Sequence, residues 1–154
     1  MIQFSAPDSV GYHLIANTIY LNIYDEYTST TVHRSLWTIT SQFTKKSKTY
    51  LPSTNYSNKD RYVSMNTVTT TGSDNLTGGI INLGTTDFPL GFYDVTIYQN
   101  SSDSNLDPTG LKVVYNGLMN LISINATTGV ETPPVTYTEY TTNDSDTESV
   151  YITF

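Results

Sequence analysis

The chain is expected to fold as an all-β domain, an antiparallel β-sandwich or partly open barrel of about eight strands, on three observations. Apolar and polar residues alternate in several short runs, the period of a half-buried pleated strand. The composition favours strands and turns, with thirteen tyrosines, abundant Thr, Ser and Asn, and only 14% charged residues. Clusters of Asn, Asp, Gly and Pro separate the runs at intervals typical of sandwiches and barrels.

Taken in order, Ile2–Ser5 is a short apolar start suited to an edge strand. A single helical turn is conceivable near Ser9–Ala16, and no other helix is suggested. Thr18–Tyr24 (TIYLNIY) sets Ile19, Leu21 and Ile23 on one face against Tyr20 and Tyr24. Leu36–Phe43 sets Trp37, Ile39 and Phe43 on one face, with the lone Trp expected in the core. Thr44–Asp60, with three lysines, Pro52 and several turn formers, reads as a long excursion. Arg61–Val68 alternates again, turning Val63, Met65 and Thr67 to one side. Thr69–Gly79 reads as a loop, Ile80–Leu83 as a short strand, and Phe88–Gly91 as a turn.

The densest alternation follows. Tyr93, Val95 and Ile97 face one way, and Phe92, Asp94, Thr96 and Tyr98 the other. Asn100–Gly110 connects this strand to a returning one, Leu111–Ile124, in which Gly117 suggests a bulge or sharp bend. Val135–Thr141 and Ser149–Phe154 make a plausible terminal hairpin. The expected organisation is therefore a sandwich domain over 1–130 and a C-terminal hairpin or arm over 131–154, placed to contact neighbouring subunits.

Composition also bounds function. The chain is long enough to bury a core without a staple, and it contains no cysteine, which removes disulfides, thiolate metal sites and cysteine nucleophiles. A formal charge of −7 argues against a nucleic-acid partner. Lys45, Lys46 and Lys48 form the only basic cluster and read as a solvated loop. The N-terminus has neither a basic segment nor a long apolar stretch, so no signal peptide is expected, and no run is long enough for a membrane helix.

No catalytic residue, metal ligand or cofactor site is expected. His13 and His33 lie in separate segments, no nucleophile elbow or Walker loop occurs, and Gly78-Gly79 lacks the strand–helix setting of a phosphate loop. Two acidic strings, Asp103-x-Asn105-x-Asp107 and Asn143–Glu148, resemble the start of a calcium loop without its glycine or closing acid. Asn105 and Asp107 read instead as turn caps ahead of Pro108, and the second string as a solvated hairpin tip. Asp94 and Glu139 are the in-strand acids that an enzyme would have to use.

The stretch GFYDVTIYQNSSDSNLDP followed by VVYNG is similar to a pattern in small β-rich virion structural proteins of tailed bacteriophages, of the marine and crAss-like type. Phe92, Tyr93, Tyr98, Asn105, Leu106, Asp107, Pro108, Tyr115, Asn116 and Gly117 carry the resemblance, which extends more weakly over Thr18–Leu121. It departs at Gln99-Asn100, where an acid and Gln are more usual. The resemblance implies a virion protein assembled in the host bacterial cytoplasm, foremost a capsid decoration protein. Neck, tail or head-fibre positions are the alternatives, along with a carbohydrate-binding adhesion module. Implied partners are the major capsid protein or neck and tail proteins, further copies of the chain on the particle, and a possible surface glycan. Nucleic acid and membrane are not expected partners. Tyr93, Tyr98, Asn105, Asp107, Tyr115, Tyr137, Tyr140, Tyr151 and Phe154 are the expected interface residues.

Overall fold

In the computed structural model the described residues are 1–8, 13–23, 34–55 and 62–125. They form nine strands: β1 (Ile2–Pro7), β2 (Leu14–Leu21), β3 (Arg34–Ser41), β4 (Ser47–Tyr50), β5 (Ser53–Asn55), β6 (Val63–Thr70), β7 (Ile80–Asn82), β8 (Gly91–Asn100) and β9 (Val113–Ile124). A single 3-10 turn, Leu76–Gly78, lies before β7. The larger sheet runs β1-β9-β8-β3-β4. The smaller runs β2-β6-β5, with β7 pairing the other half of the same side of β6. Two pairings, β1 with β9 and β6 with β7, are parallel, so both sheets are mixed. The all-β, sandwich-like architecture matches the expectation, without a closed barrel. The terminal hairpin and the 131–154 arm lie outside the described residues.

The alternation puts the core between the sheets. Trp37 and Ile39 of β3, Tyr93, Val95 and Ile97 of β8, and Met119 and Leu121 of β9 face Val63 and Met65 of β6. Trp37 is its centre. Its ring stacks on Phe4 at 6.1 Å between centroids and tilts against Tyr50 at 6.2 Å. The indole N–H donates to Met65 Sδ at 3.0 Å, and the Tyr50 hydroxyl meets Thr67 Oγ1 at 3.2 Å. Each fully buried side chain of Leu or Phe size contributes about 1.5–3 kcal/mol. The polar contacts keep the aromatic heteroatoms satisfied inside that apolar layer.

A second device joins the sheets at their edge. The backbone N–H of Ser5 in β1 donates to Asn17 Oδ1 at 2.7 Å, and Asn17 Nδ2 donates back to the Ser5 carbonyl at 3.1 Å. Thr69 Oγ1 of β6 donates to the same carbonyl at 2.6 Å. The carboxamide takes the place of a neighbouring strand for Ser5, where β1 would otherwise expose an open edge. The outer side of β7 is covered comparably: Asn75 exchanges backbone hydrogen bonds with Ile80, and Asp74 Oδ1 accepts from the Asn82 N–H at 2.6 Å.

Several sequence expectations are corrected. β2 begins at Leu14, so residues 14–16, where a helical turn was conceivable, are strand paired to β6. The Thr44–Asp60 excursion contains β4 and β5, and Thr69-Thr70 complete β6 instead of opening a loop. β3 stops at Ser41, so Phe43 sits in a turn and points outward instead of joining Trp37. Lys48 is not a solvated loop residue: it reaches Asp74 at 2.9 Å and the Asn82 carbonyl at 2.8 Å, and lies 4.5 Å over the Phe88 ring.

Gly117 has a different role from the one its position suggests. The bulge lies between Ile97 and Tyr98, with Val114 as the extra residue of β9. Gly117 pairs with Val95 in the unbroken part of the ladder. A Cβ there would meet the Tyr115 ring, with Cε1 and Cζ at 2.7 Å. Tyr115 therefore lies along the strand in the space a side chain at 117 would occupy.

Two outcomes follow from this packing. Asn17→Ala strands the Ser5 N–H, leaves its carbonyl to Thr69 alone and lowers stability by about 2 kcal/mol, read as a lower urea midpoint at unchanged m-value. Gly117→Ala costs about 1–3 kcal/mol by displacing the Tyr115 ring. In a Tyr115→Ala background the same change costs less than about 0.5 kcal/mol, a coupling that a double-mutant cycle measures directly.

Candidate functional site

The outer face of the larger sheet is mostly polar and satisfied within itself. Thr38 and Thr49 hydroxyls meet at 2.9 Å, and Thr40 and Ser47 at 2.8 Å. Thr96 Oγ1 donates to Asn116 Oδ1 at 3.0 Å, and Gln42 Nε2 donates to Asp94 Oδ1 at 2.9 Å. Cross-strand pairs of this kind leave little unmet demand for a polar ligand.

One end of the face differs. Ser41, Gln42, Phe43, Pro89, Leu90, Gly91 and Phe92 line an open groove of about 490 Å³. Phe43 is 86% exposed, Phe92 52% and Leu90 39%. Leu118, also exposed, pairs with Asp94 across β8 and β9 and so lies diagonal to Phe92 on the same face. Exposed apolar residues scattered singly are ordinary, and the gathering of three around one concavity makes this end the candidate contact surface.

The groove is built from two interlocked turns. After β3, Lys45 N–H donates to the Ser41 carbonyl at 2.9 Å with Lys45 in the left-handed region, which swings Phe43 to the tip. Before β8, Gly84 and Thr85 N–H groups both donate to the Phe88 carbonyl, and Phe88 N–H donates to Thr85 Oγ1. Thr44 Oγ1 donates to the Asp87 carbonyl at 2.7 Å, and Lys46 bridges the Asp87 carboxylate at 2.6 Å. The Tyr93 hydroxyl donates to the Pro89 carbonyl at 2.5 Å, tying the groove wall to the core. Gly91, at φ +123°, is the residue type that this entry into β8 requires.

The expected interface residues are dispersed by the fold. Tyr93 is wholly buried, so its expected surface role is corrected to one of positioning the groove. Tyr115 is half-buried on the inner face, packed against the core above Gly117. Tyr98 is half-exposed on the outer face, six residues along β8 from Phe92 and so about 20 Å away. Asn105 and Asp107 lie beyond Tyr98 in the loop that follows β8. Tyr137, Tyr140, Tyr151 and Phe154 lie outside the described residues, as do His33, Glu139 and the Asn143–Glu148 string.

The turn-capping reading of Asn105 and Asp107 holds. Asn105 Oδ1 accepts from Asp107 N–H at 3.0 Å, and Asp107 Oδ1 accepts from Thr109 N–H at 2.9 Å. Hydrogen bonds from the Thr109 side chain and backbone hold the Asp107 carboxyl below its ordinary value. Asn105 and Asp107 thus have local structural work, as expected for Asx turns ahead of a proline. Among the described residues no group of three His, Asp or Glu could hold a metal ion, and no helix is long and apolar enough to cross a membrane.

No family model, curated protein or solved structure matches the chain. The groove residues Phe43, Leu90 and Phe92 were not among the interface residues expected from the sequence. The alternation of β8 did set Phe92 on the face opposite Tyr93, Val95 and Ile97, and its position next to a Pro-Leu-Gly turn was the available signal.

Burial pushes the hydroxyls of Tyr50 and Tyr93 above the ordinary tyrosine range, against smaller opposing effects of Thr67 and Ser41. The unfolded chain ionises both near the ordinary value of about 10. Their contribution to stability is therefore complete below pH ~10 and declines as pH rises above it. An alkaline titration followed by tyrosinate absorbance should show these two rings ionising only together with loss of structure.

Proposed function

We propose that the chain is a structural protein of a tailed-phage virion, a capsid decoration protein that reinforces the head through added protein–protein interface. The observation that carries this reading is the exposed Phe43–Leu90–Phe92 groove, held on a rigid frame by the Lys46–Asp87 and Tyr93–Pro89 contacts. Three supporting features accompany it. The resemblance around Asn105-Leu106-Asp107-Pro108 falls on a loop ordered by its own side chains. The open edge of β1 is met at Ser5 and that of β7 at Ile80 and Asn82, which favours docking through side chains over strand addition there. The net charge of −7 suits a surface that faces away from packaged nucleic acid.

The mechanism is differential burial. Each apolar groove residue that becomes fully covered by a capsid subunit contributes about 1.5–3 kcal/mol, before the cost of association. A modest contact of this kind becomes effective when a symmetric shell repeats it and further copies of the chain engage together.

Mass spectrometry of purified particles tests the reading, through the ratio of this chain to the major capsid protein. A ratio near one, or near one-third, is expected for lattice decoration. A ratio of a few per cent would instead favour a neck, tail or vertex position, and absence from particles would overturn the virion reading. Phe43→Ser/Phe92→Ser should keep its unfolding free energy within about 0.5 kcal/mol of the parent, since both side chains are exposed. The same variant should lose co-sedimentation with particles stripped of the native protein.

A further inference from the structure

The smaller sheet has an outer face of its own, and its chemistry differs from that of the groove. On β2, Tyr20 is 63% exposed, and its ring meets that of Tyr62, just ahead of β6, at 5.4 Å between centroids and 82° between planes. The two rings make an aromatic corner at the surface. Tyr20 pairs with Ser64, and Thr18 with Asn66, so hydroxyl and carboxamide groups continue the same face beside the corner. Asn66 is half-buried, and its Oδ1 is shielded from solvent with no hydrogen-bond partner among the described residues. A buried acceptor left unmatched costs about 1–3 kcal/mol, a cost that a donor from a bound molecule would remove.

We propose that this face binds a neutral saccharide, at a site separate from the Phe43 groove. The negative face of an aromatic ring attracts the weakly positive C–H side of a pyranose, and two rings set nearly at right angles can offer a floor and a wall to one sugar unit. Tyrosine presents that area at small conformational cost, having only two side-chain torsions. The sugar's hydroxyls, each a donor and an acceptor, match Thr18, Ser64 and the Asn66 carboxamide, which reaches the face by turning about its last torsion. The chain's charge of −7 disfavours acidic glycans and selects the neutral class. A protein partner fits this face less well, because its aromatic corner is bordered by the hydroxyls of Thr18 and Ser64, whereas the groove sets Phe43 and Phe92 beside Pro89 and Leu90.

The test is a titration of the isotope-labelled full chain, followed by amide chemical shifts. The probes are neutral oligosaccharide fragments of β-1,4-glucan, chitin, α-1,6-glucan and galactan, with sialyllactose and oligogalacturonate as acidic comparators. At least one neutral fragment should move Tyr20, Tyr62 and Asn66 together. Tyr20→Ala, whose fold the same spectra verify, should weaken that binding at least about tenfold. Asn66→Ala should weaken it too, while Phe92→Ser leaves it unchanged. The proposal is overturned if no neutral fragment shifts these residues, if only acidic fragments do, or if binding persists at full strength in Tyr20→Ala. None of these outcomes bears on particle association, so the two readings stand or fall separately.

Discussion

The structure depends on closing two sheets against each other without leaving a strand edge unsatisfied at the corner where they meet. Asn17 meets that constraint. Its side chain lies on β2, yet it hydrogen-bonds both backbone groups of Ser5 on β1, so one carboxamide belongs structurally to both sheets. Thr69 joins from β6, which makes the corner a three-strand polar junction inside an otherwise apolar layer. Polar contacts of this sort add modest net stability but are costly to leave incomplete. They therefore specify how the sheets sit, while the Trp37 cluster supplies most of the burial.

The same logic runs through the rest of the core. Trp37 and Tyr50 bring polar atoms into the interior, and Met65 and Thr67, two residues apart on β6, receive them. Residues two apart on a strand share a face, so one register of β6 answers both. A one-residue slip would turn Met65 and Thr67 to solvent and strand the Trp37 N–H and the Tyr50 hydroxyl. The aromatic core thus supplies burial and enforces alignment through the same side chains.

Surface character follows from how these internal demands are met. Because β1 is met at Ser5 and β7 at Ile80 and Asn82 from within, the described surface offers side chains more than backbone in those places. The larger sheet carries hydroxyl pairs that satisfy one another and concentrates its apolar exposure at one end. The smaller sheet keeps an aromatic corner among hydroxyls. Lys48 and Lys46 contribute from the side, pinning the segment between β6 and β8 to the β3–β4 hairpin and so holding the groove in shape.

The strands with clean alternation were legible because the pleat has a strict period of two and one face of each is buried. For β6 and β8 the sequence grouped Val63, Met65 and Thr67, and Tyr93, Val95 and Ile97, each on one face, and the structure turns both faces inward. The Asx turns of Asn105 and Asp107 were also legible, since their hydrogen bonds are local. By contrast, β4 and β5 were hidden, because short polar strands take their identity from the neighbours they pair with. The exposure of Phe43 depended on where β3 ends, which the Lys45 turn and the Asp87 contacts decide. Whether a tyrosine faces core or water was likewise settled only in three dimensions. Tyr93 and Tyr20 look alike in sequence, but one lies under the opposite sheet and the other on an outer face. Local periodicity is written into the chain residue by residue, whereas coverage depends on which distant segment arrives above each face.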